Sequence, residues 1–178
     1  LIEAARRDEA YLSSVLDEID RAQSESDIAD IRRELVETGY VHRQKNAPRE
    51  RVKPSAPLRY VSTSGLEILV GRSNAQNDQL TMKTAHNGDI WLHVQKIHGS
   101  HVIIRCFGEQ VDGETLAEAA SLAAYHSQAA EGAKVPVDYT RVKFVKKPAG
   151  ALPGMVIYTN QTTIIAQGDE ALAERLKK

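Results

Sequence analysis

Cysteine pairs, long apolar runs and an excess of charge of one sign are all missing from this sequence. A single cysteine, Cys106, excludes a disulfide framework and a cysteine-rich zinc site within the chain. No apolar run reaches the ~18 residues that a transmembrane helix needs. The net charge of −1 excludes the large overall positive charge that is typical of many nucleic-acid-binding proteins. No secretory signal peptide is visible, so we expect a cytoplasmic protein.

Sequence signatures of common enzymes are missing as well. There is no P-loop and no Gly-x-Gly-x-x-Gly fingerprint, and no Gly-x-Ser-x-Gly nucleophile elbow. Cys106 stands in an apolar segment, unlike an activated thiolate. We therefore expect a protein that is not an enzyme and that holds no cofactor.

The first 39 residues have the pattern of two amphipathic helices. A heptad seam is predicted for the first helix at Ile2, Ala5, Glu9, Leu12, Leu16 and Ile19, and for the second at Ile28, Ile31 and Leu35. Ser24 or Ser26 would cap the second helix, which would end at Gly39. This predicts an antiparallel hairpin over 1–39, interpreted as one end of a coiled coil in a piece of a longer protein. A plain helical subdomain packed on the rest is the alternative.

Near-zero total charge hides two basic segments. Residues 41–60 carry a net charge of +5 and residues 139–149 carry +4. Local charge is what binds phosphate, although chance clustering on a surface is the alternative. Residues 40–57 also hold three prolines, which predicts an extended basic linker. The main domain is then predicted over 58–178.

Short β-like runs joined by turns dominate this main domain. Strands are predicted at 58–62, 66–71, 90–94, 101–107, 137–147, 155–159 and 162–167, the last two as a hairpin. Capping boxes at Ser73 and Thr115 predict helices running to Ala85 and to Gly132, the second rich in alanine, and a last helix is predicted at 170–176. The pattern indicates an α+β fold, with a mostly antiparallel sheet and one main packing helix.

Three histidines lie close together in the middle of the chain. His93, His98 and His101 follow Asp89, and all four are residue types that ligate zinc or iron. Their spacing matches no metal motif, so we expect no metal. Two interpretations stay open: the histidines are ordinary hydrogen-bonding residues, or they line a polar binding surface together with Trp91.

Trp91 is the only tryptophan, and its strand alternates. Trp91 and His93 share one face, while Leu92 and Val94 share the other. A lone tryptophan is usually a core residue, but on an open face it would be a platform on which a base stacks. The Gly99-Ser100-His101 segment that follows is either an ordinary turn or a nest of backbone N–H groups that binds an anion.

The predicted strand over 137–147 is basic. Alternation places Arg141, Lys143 and Lys147 on one face, with Val142 and Phe144 pointing toward a core. Three cations on one face repel each other unless something negative lies there, and phosphate is the obvious candidate. A solvated edge strand that uses lysines against aggregation is the alternative.

Three long stretches resemble a known family. They are similar to the NFACT-R domain of the RqcH, NEMF and fibronectin-binding-protein-A-like ribosome quality-control factors, and read GRSNAQNDQLTMKTAHNGDIWLHVQKIHGSHVII, LAEAASLAAYHS and VPVDYTRVKFVKKPAGALPGMVIY. The resemblance runs from about Leu58 to about Gln167. The preceding hairpin resembles the end of the family's middle coiled coil. Family members usually carry proline where His98 stands, so the rigidity of that loop does not carry over.

The resemblance implies a function. Family members bind obstructed large ribosomal subunits that carry peptidyl-tRNA, and bacterial members recruit alanyl-tRNA through an N-terminal domain with an Asp-Arg motif. This chain lacks that domain, and Asp20–Arg21 is an accidental match. The resemblance thus implies an RNA- and ribosome-binding module whose partners are the large subunit, rRNA and tRNA. The alternative is a fibronectin-binding surface adhesin, because some members carry that name.

Thirteen residues form the predicted nucleic-acid interface. The family motifs contribute Arg72, Asn74, Asn77, Asp89, Trp91, His93, Gly99, Ser100 and His101, and the basic segment contributes Arg141, Lys143, Lys146 and Lys147. A carboxylate is unusual on an RNA-binding surface, so we expect Asp89 to orient a histidine or an asparagine rather than touch phosphate.

Overall fold

Two helices open the chain as a hairpin. A computed structural model describes residues 2–42 and 53–178, so residues 43–52 of the predicted basic linker lie outside the described residues. Helix α1 spans Ile2–Arg21 and α2 spans Glu25–Glu37. Ser24 caps α2, its hydroxyl accepting the Asp27 N–H at 3.2 Å. Gly39 follows with φ +85°, a conformation that favours glycine.

The buried face of the hairpin differs from the predicted heptad seam on α1 and agrees with it in part on α2. The seam residues Ile2, Ala5, Glu9, Leu12, Leu16, Ile19 and Ile28 are exposed, so that prediction is wrong for them. On α2 the predicted seam residue Ile31 is buried and Leu35 packs beside it, whereas on α1 Tyr11 and Val15 are buried instead of the seam, with Leu152 and Met155 of the main domain packed against this cluster. The face one position earlier on α1 is the one that meets the domain. The hairpin is thus a helical subdomain packed on the rest.

A six-stranded antiparallel sheet forms the centre of the main domain. Its order is β1-β2-β4-β3-β5-β8. The strands are β1 Leu58–Val61, β2 Glu67–Val70, β3 Ile90–Val94, β4 Val102–Ile104, β5 Lys134–Arg141 and β8 Thr162–Gln167. The short strands β6 Val145–Lys146 and β7 Ile157–Tyr158 pair with each other in a separate ribbon. The predicted α+β fold with a mostly antiparallel sheet is confirmed.

Both faces of the sheet are covered. Helices α4 (Gly113–Tyr125) and α5 (Glu170–Leu176) pack on one face, and the fully buried alanines of α4 let it lie close to the strands. The opposite face buries Leu69, Trp91 and Ile103 under Leu80 and the β6–β7 ribbon. Leu80 follows helix α3 (Asn74–Gln79) and opens a π-helical turn, Leu80–Thr84.

The predicted long strand over 137–147 is broken. Strand β5 ends at Arg141, and a 3-10 turn, Val142–Phe144, separates it from β6. In that turn the Val142 and Lys143 N–H groups donate to the Asp89 and Asn87 carbonyls, at 3.0 and 3.2 Å. The chain bends there because the loop before β3 captures its backbone.

Two other local predictions are wrong. The predicted 155–167 hairpin does not form, because β7 pairs with β6 whereas β8 pairs with β5. Helix α4 begins after Asp112, whose carboxylate accepts the Thr115 N–H at 2.8 Å, and it ends at Tyr125 rather than Gly132. An aspartate three residues earlier is the stronger cap here, and Thr115 lies inside the first turn.

Among residues 2–42 and 53–178, no helix is long and apolar enough to cross a membrane.

Candidate nucleic-acid interface

Trp91 is a core residue. It is 0% exposed and packs against Leu69, Leu80 and Ile103. Its ring stacks on His93 at 5.8 Å and lies 4.7 Å from the Tyr158 ring. Strand β3 lies between two strands and both faces of the sheet are covered, so no open face is left for a base. The stacking platform predicted at Trp91 is wrong, although its predicted face-sharing with His93 is confirmed.

The Gly99-Ser100-His101 segment is a structural turn. The Ser100 N–H donates to the His126 carbonyl at 2.9 Å, and the His101 N–H donates to the Asn77 side-chain oxygen at 3.0 Å. A side chain at Gly99 would lie 2.8 Å from a methyl of Val94, so only glycine fits. The interpretation of this segment as an anion-binding nest is wrong, because the N–H groups of Ser100 and His101 donate to acceptors inside the protein.

Two of the three motif histidines, His93 and His101, form hydrogen bonds inside the protein. His101 is buried and bonds the Thr81 hydroxyl at 2.8 Å, and His93 bonds the Gly99 carbonyl at 3.2 Å. Burial lowers the pKa of both rings, that of His101 well below its ordinary value, which favours the neutral form. No group of three possible metal-ligating side chains occurs in the described part of the chain.

Arg72, Asn74 and Asn77 attach other elements rather than a ligand. The Arg72 guanidinium pairs with Asp27 of α2 at 2.5 Å. The Asn74 amide donates to the Ser14 hydroxyl of α1 at 2.8 Å. Asn77 accepts the bond from the Gly-Ser-His turn. These side chains therefore join the helical hairpin and the turn to α3.

Asp89 holds backbone together. It is 0% exposed, and its carboxylate accepts the N–H groups of His86, Cys106 and Phe107 at 2.8, 3.0 and 2.9 Å. The prediction that it orients a histidine or asparagine side chain is wrong. Its bonds instead fix the loop before β3 to the loop after β4, and three N–H donors stabilise a buried carboxylate.

The four cations of the basic segment divide into two kinds. Arg141 donates to the Gly88 carbonyl and, at 3.1 Å, to the Glu109 carbonyl. Lys147 pairs with Asp78 at 2.7 Å. Lys143 and Lys146 are exposed. The predicted row of Arg141, Lys143 and Lys147 on one strand face is wrong, because the 3-10 turn breaks the alternation.

Three loops meet at one end of the sheet. Residues 86–89, 105–109 and 141–143 form this three-loop end, where Ile90 pairs with both Ile104 and Arg141. The exposed side chains there include His86, Phe107 and Lys143. Sequence reasoning missed Phe107 because it was assigned to a strand. The available signal was the Phe107–Gly108 pair after an arginine, at the end of an apolar run.

Known proteins match both the sequence and the fold. The profile of the NFACT protein RNA binding domain family matches residues 57–160. The "Rqc2 homolog RqcH" of Bacillus subtilis is 43% identical over 99% of this chain and 31% of its own length, and that of Streptococcus suis is 43% identical over 92% and 29%. The chain thus spans about a third of these relatives. It belongs to the NFACT RNA-binding domain family.

A solved structure agrees with this assignment. It is the C-terminal part of the fibronectin/fibrinogen-binding protein from Streptococcus suis, which superposes with a TM-score of 0.91 at 40% identity. The alignment covers 100% of this chain and 70% of that one, so it includes the helical hairpin as well as the sheet domain.

Proposed function

We propose that this chain is the RNA- and ribosome-binding module of a ribosome quality-control factor. The factor would act in the cytoplasm on obstructed large subunits that carry peptidyl-tRNA, contacting rRNA and tRNA. The observation that carries the proposal is the match of residues 57–160 to an RNA-binding domain family. Relatives named RqcH support the quality-control context.

The module is proposed to bind without catalysing a reaction. The polar motif residues whose types can ligate a metal have internal partners: His101 bonds Thr81, and Asp89 accepts three backbone N–H groups. Cys106 is buried, and its thiol faces the Gly88 carbonyl at 3.4 Å. Lys143 and Lys146 are the members of the basic segment whose exposure suits phosphate contact.

Salt-dependent RNA binding tests the proposal. The fragment is expected to co-sediment with large ribosomal subunits and to bind tRNA. Lys143→Gln and Lys146→Gln should each weaken binding across RNA sequences and reduce the salt slope of the binding constant by ~1. Lys134→Gln also removes an exposed charge, at the start of β5, and serves as the control, with an unchanged slope.

Arg141→Gln and Lys147→Gln are expected to act differently. Both side chains bond inside the protein, so their loss should lower stability and leave the salt slope of the folded variants unchanged. A wild-type fragment that binds neither subunits nor tRNA contradicts the proposed function.

Fibronectin binding is the second candidate function. It is favoured by the printed name of the structural neighbour, a fibronectin/fibrinogen-binding protein. Immobilised fibronectin and large subunits should be tested side by side with the same fragment. Saturable binding to fibronectin that survives Lys143→Gln and Lys146→Gln, without RNA binding, would favour this candidate over the first.

A further inference from the structure

Phe107 is a large apolar residue that is exposed to solvent. The residue is 63% exposed, although the neighbouring Cys106 is part of the buried core. Its backbone has φ +51°, a left-handed conformation that phenylalanine rarely adopts. Exposure and strain both cost stability, and residues that keep such a conformation cluster at binding sites.

The surrounding loops enforce this conformation. Asp89 accepts the Phe107 N–H at 2.9 Å from inside the protein, and the Gly108 N–H donates to the Gly88 carbonyl at 3.1 Å. Gly88 carries no side chain at this crossing, where a Cβ would lie 2.6 Å from the Gly108 nitrogen. The ring is therefore turned outward by a rigid, buried framework rather than by a loose loop.

Polar and cationic groups flank the ring. The His86 ring lies 5.0 Å from it at an angle of 56°. The half-buried Arg105 guanidinium lies 5.1 Å from its centroid and is 3.9 Å from the Glu67 and Asp89 carboxylates, so Arg105 supports the ring from the protein side. Lys143 is exposed on the third loop, whose backbone is bonded to Asn87 of the first. An exposed aromatic surface near an exposed cation is the combination that binds single-stranded nucleic acid, by stacking a base and attracting its phosphate.

We propose that Phe107 is a stacking platform for an unpaired base of RNA, with the exposed Lys143 of the neighbouring loop attracting an adjoining phosphate. This inference rests on the RNA-binding function proposed above and identifies the part of the surface that contacts the RNA chain. A base inside a duplex cannot stack on the ring without leaving its helix, so the platform selects single-stranded segments, loops or ends.

Phe107→Asn tests the platform without endangering the fold. Asparagine accepts a positive φ, so the backbone keeps its conformation while the ring is removed. Affinity for a short single-stranded RNA should fall roughly 5- to 150-fold, the equivalent of ~1–3 kcal/mol for one stacked base. The salt slope should stay unchanged because no charge is removed, in contrast to Lys143→Gln. Phe107→Trp should restore binding.

Two controls isolate stacking from general effects. Ile165 is also 63% exposed but lies on the edge strand β8, and Ile165→Ala should bind RNA like the wild type. A duplex RNA of the same length should bind Phe107→Asn and wild type alike. A fluorescent purine analogue in the single strand should be quenched by the wild type and not by Phe107→Asn.

The outcomes distinguish this inference from the proposed function. Wild type that binds single-stranded RNA no better than Phe107→Asn overturns the platform and leaves RNA binding in place. Wild type that binds none of the RNAs overturns both. Loss of fibronectin binding in Phe107→Asn, with RNA binding unchanged, overturns the platform and assigns the ring to a protein partner.

Discussion

Trp91 is surrounded by rings rather than by solvent. His93 and His101 lie 5.8 and 5.3 Å from it, and its indole N–H has no hydrogen-bond partner within the described residues. A buried indole without a partner carries a desolvation cost, which its packing must outweigh. Trp91 therefore stabilises the sheet and is not part of the binding surface.

Trp91→Ala is expected to cost ~3–5 kcal/mol of unfolding free energy, because a large buried side chain leaves a cavity. Chemical denaturation measures the loss. RNA affinity, determined at a temperature where the variant remains folded, should match that of the wild type. A Trp91→Ala protein that is as stable as the wild type but binds RNA more weakly would contradict the assignment of Trp91 to the core and would show that it contributes to the interface.

The helical hairpin is attached to the sheet domain mainly through polar contacts. Arg21 of α1 donates to the Ser100 hydroxyl at 3.4 Å and to the His126 carbonyl at 3.0 Å. Glu34 of α2 accepts the Ala75 N–H at the start of α3, at 2.8 Å. The apolar part of this junction is small, so each buried side chain in it carries a large share of the packing.

Two isoleucines on α2 provide a matched test of the docked face. Ile31 is 3% exposed and Ile28 is 45% exposed, on the same helix. Ile31→Ala should destabilise the protein by ~2–5 kcal/mol, whereas Ile28→Ala should stay within about 0.5 kcal/mol. Thermal or urea unfolding decides between them. Equal effects would mean that the hairpin buries a heptad seam as the sequence pattern predicts.

The stability of the whole molecule should depend on pH through the hairpin junction. Burial and the nearby Glu34 carboxylate raise the pKa of Glu18 to about 9, against an opposing effect of Arg21. Burial, helped by Arg21, lowers the pKa of His126 to about 4. The contribution of neutral His126 to the stability of the folded state is lost only below its ordinary pKa of 6.5, where the unfolded chain takes up a proton that the folded state does not. Glu18 acts in the opposite sense, because its folded state holds the proton more tightly.

Wild-type stability is therefore expected to fall as pH rises from 6.5 toward 9, because the unfolded chain has already released the Glu18 proton near its ordinary pKa of 4.5, whereas the folded state retains it until about pH 9. Glu18→Gln keeps a neutral side chain of similar shape and should flatten this decline. Melting temperatures across the range measure it. Parallel pH profiles for wild type and variant would show that Glu18 is ionised in the folded protein at neutral pH.

Local pattern was enough for features whose causes lie within a few residues. The last helix is predicted and found at 170–176, and strand β3 at 90–94, with Trp91 and His93 on one face. A helix cap or a strand alternation needs only neighbouring residues, so a single sequence reveals it. The family likewise follows from long ordered motifs, which the profile match confirms.

The roles of the motif residues depended on partners far along the chain. Arg72 meets Asp27, Asn77 meets His101 and Asp89 meets Phe107, pairs separated by 45, 24 and 18 residues. Other long-range backbone bonds bend the basic segment at Val142, and the Asp89 bond holds Phe107 in its outward conformation. A polar residue in a motif looks the same in sequence whether it faces a ligand or a distant backbone amide. Burial separates the two cases, and burial arises only when the strands and loops come together.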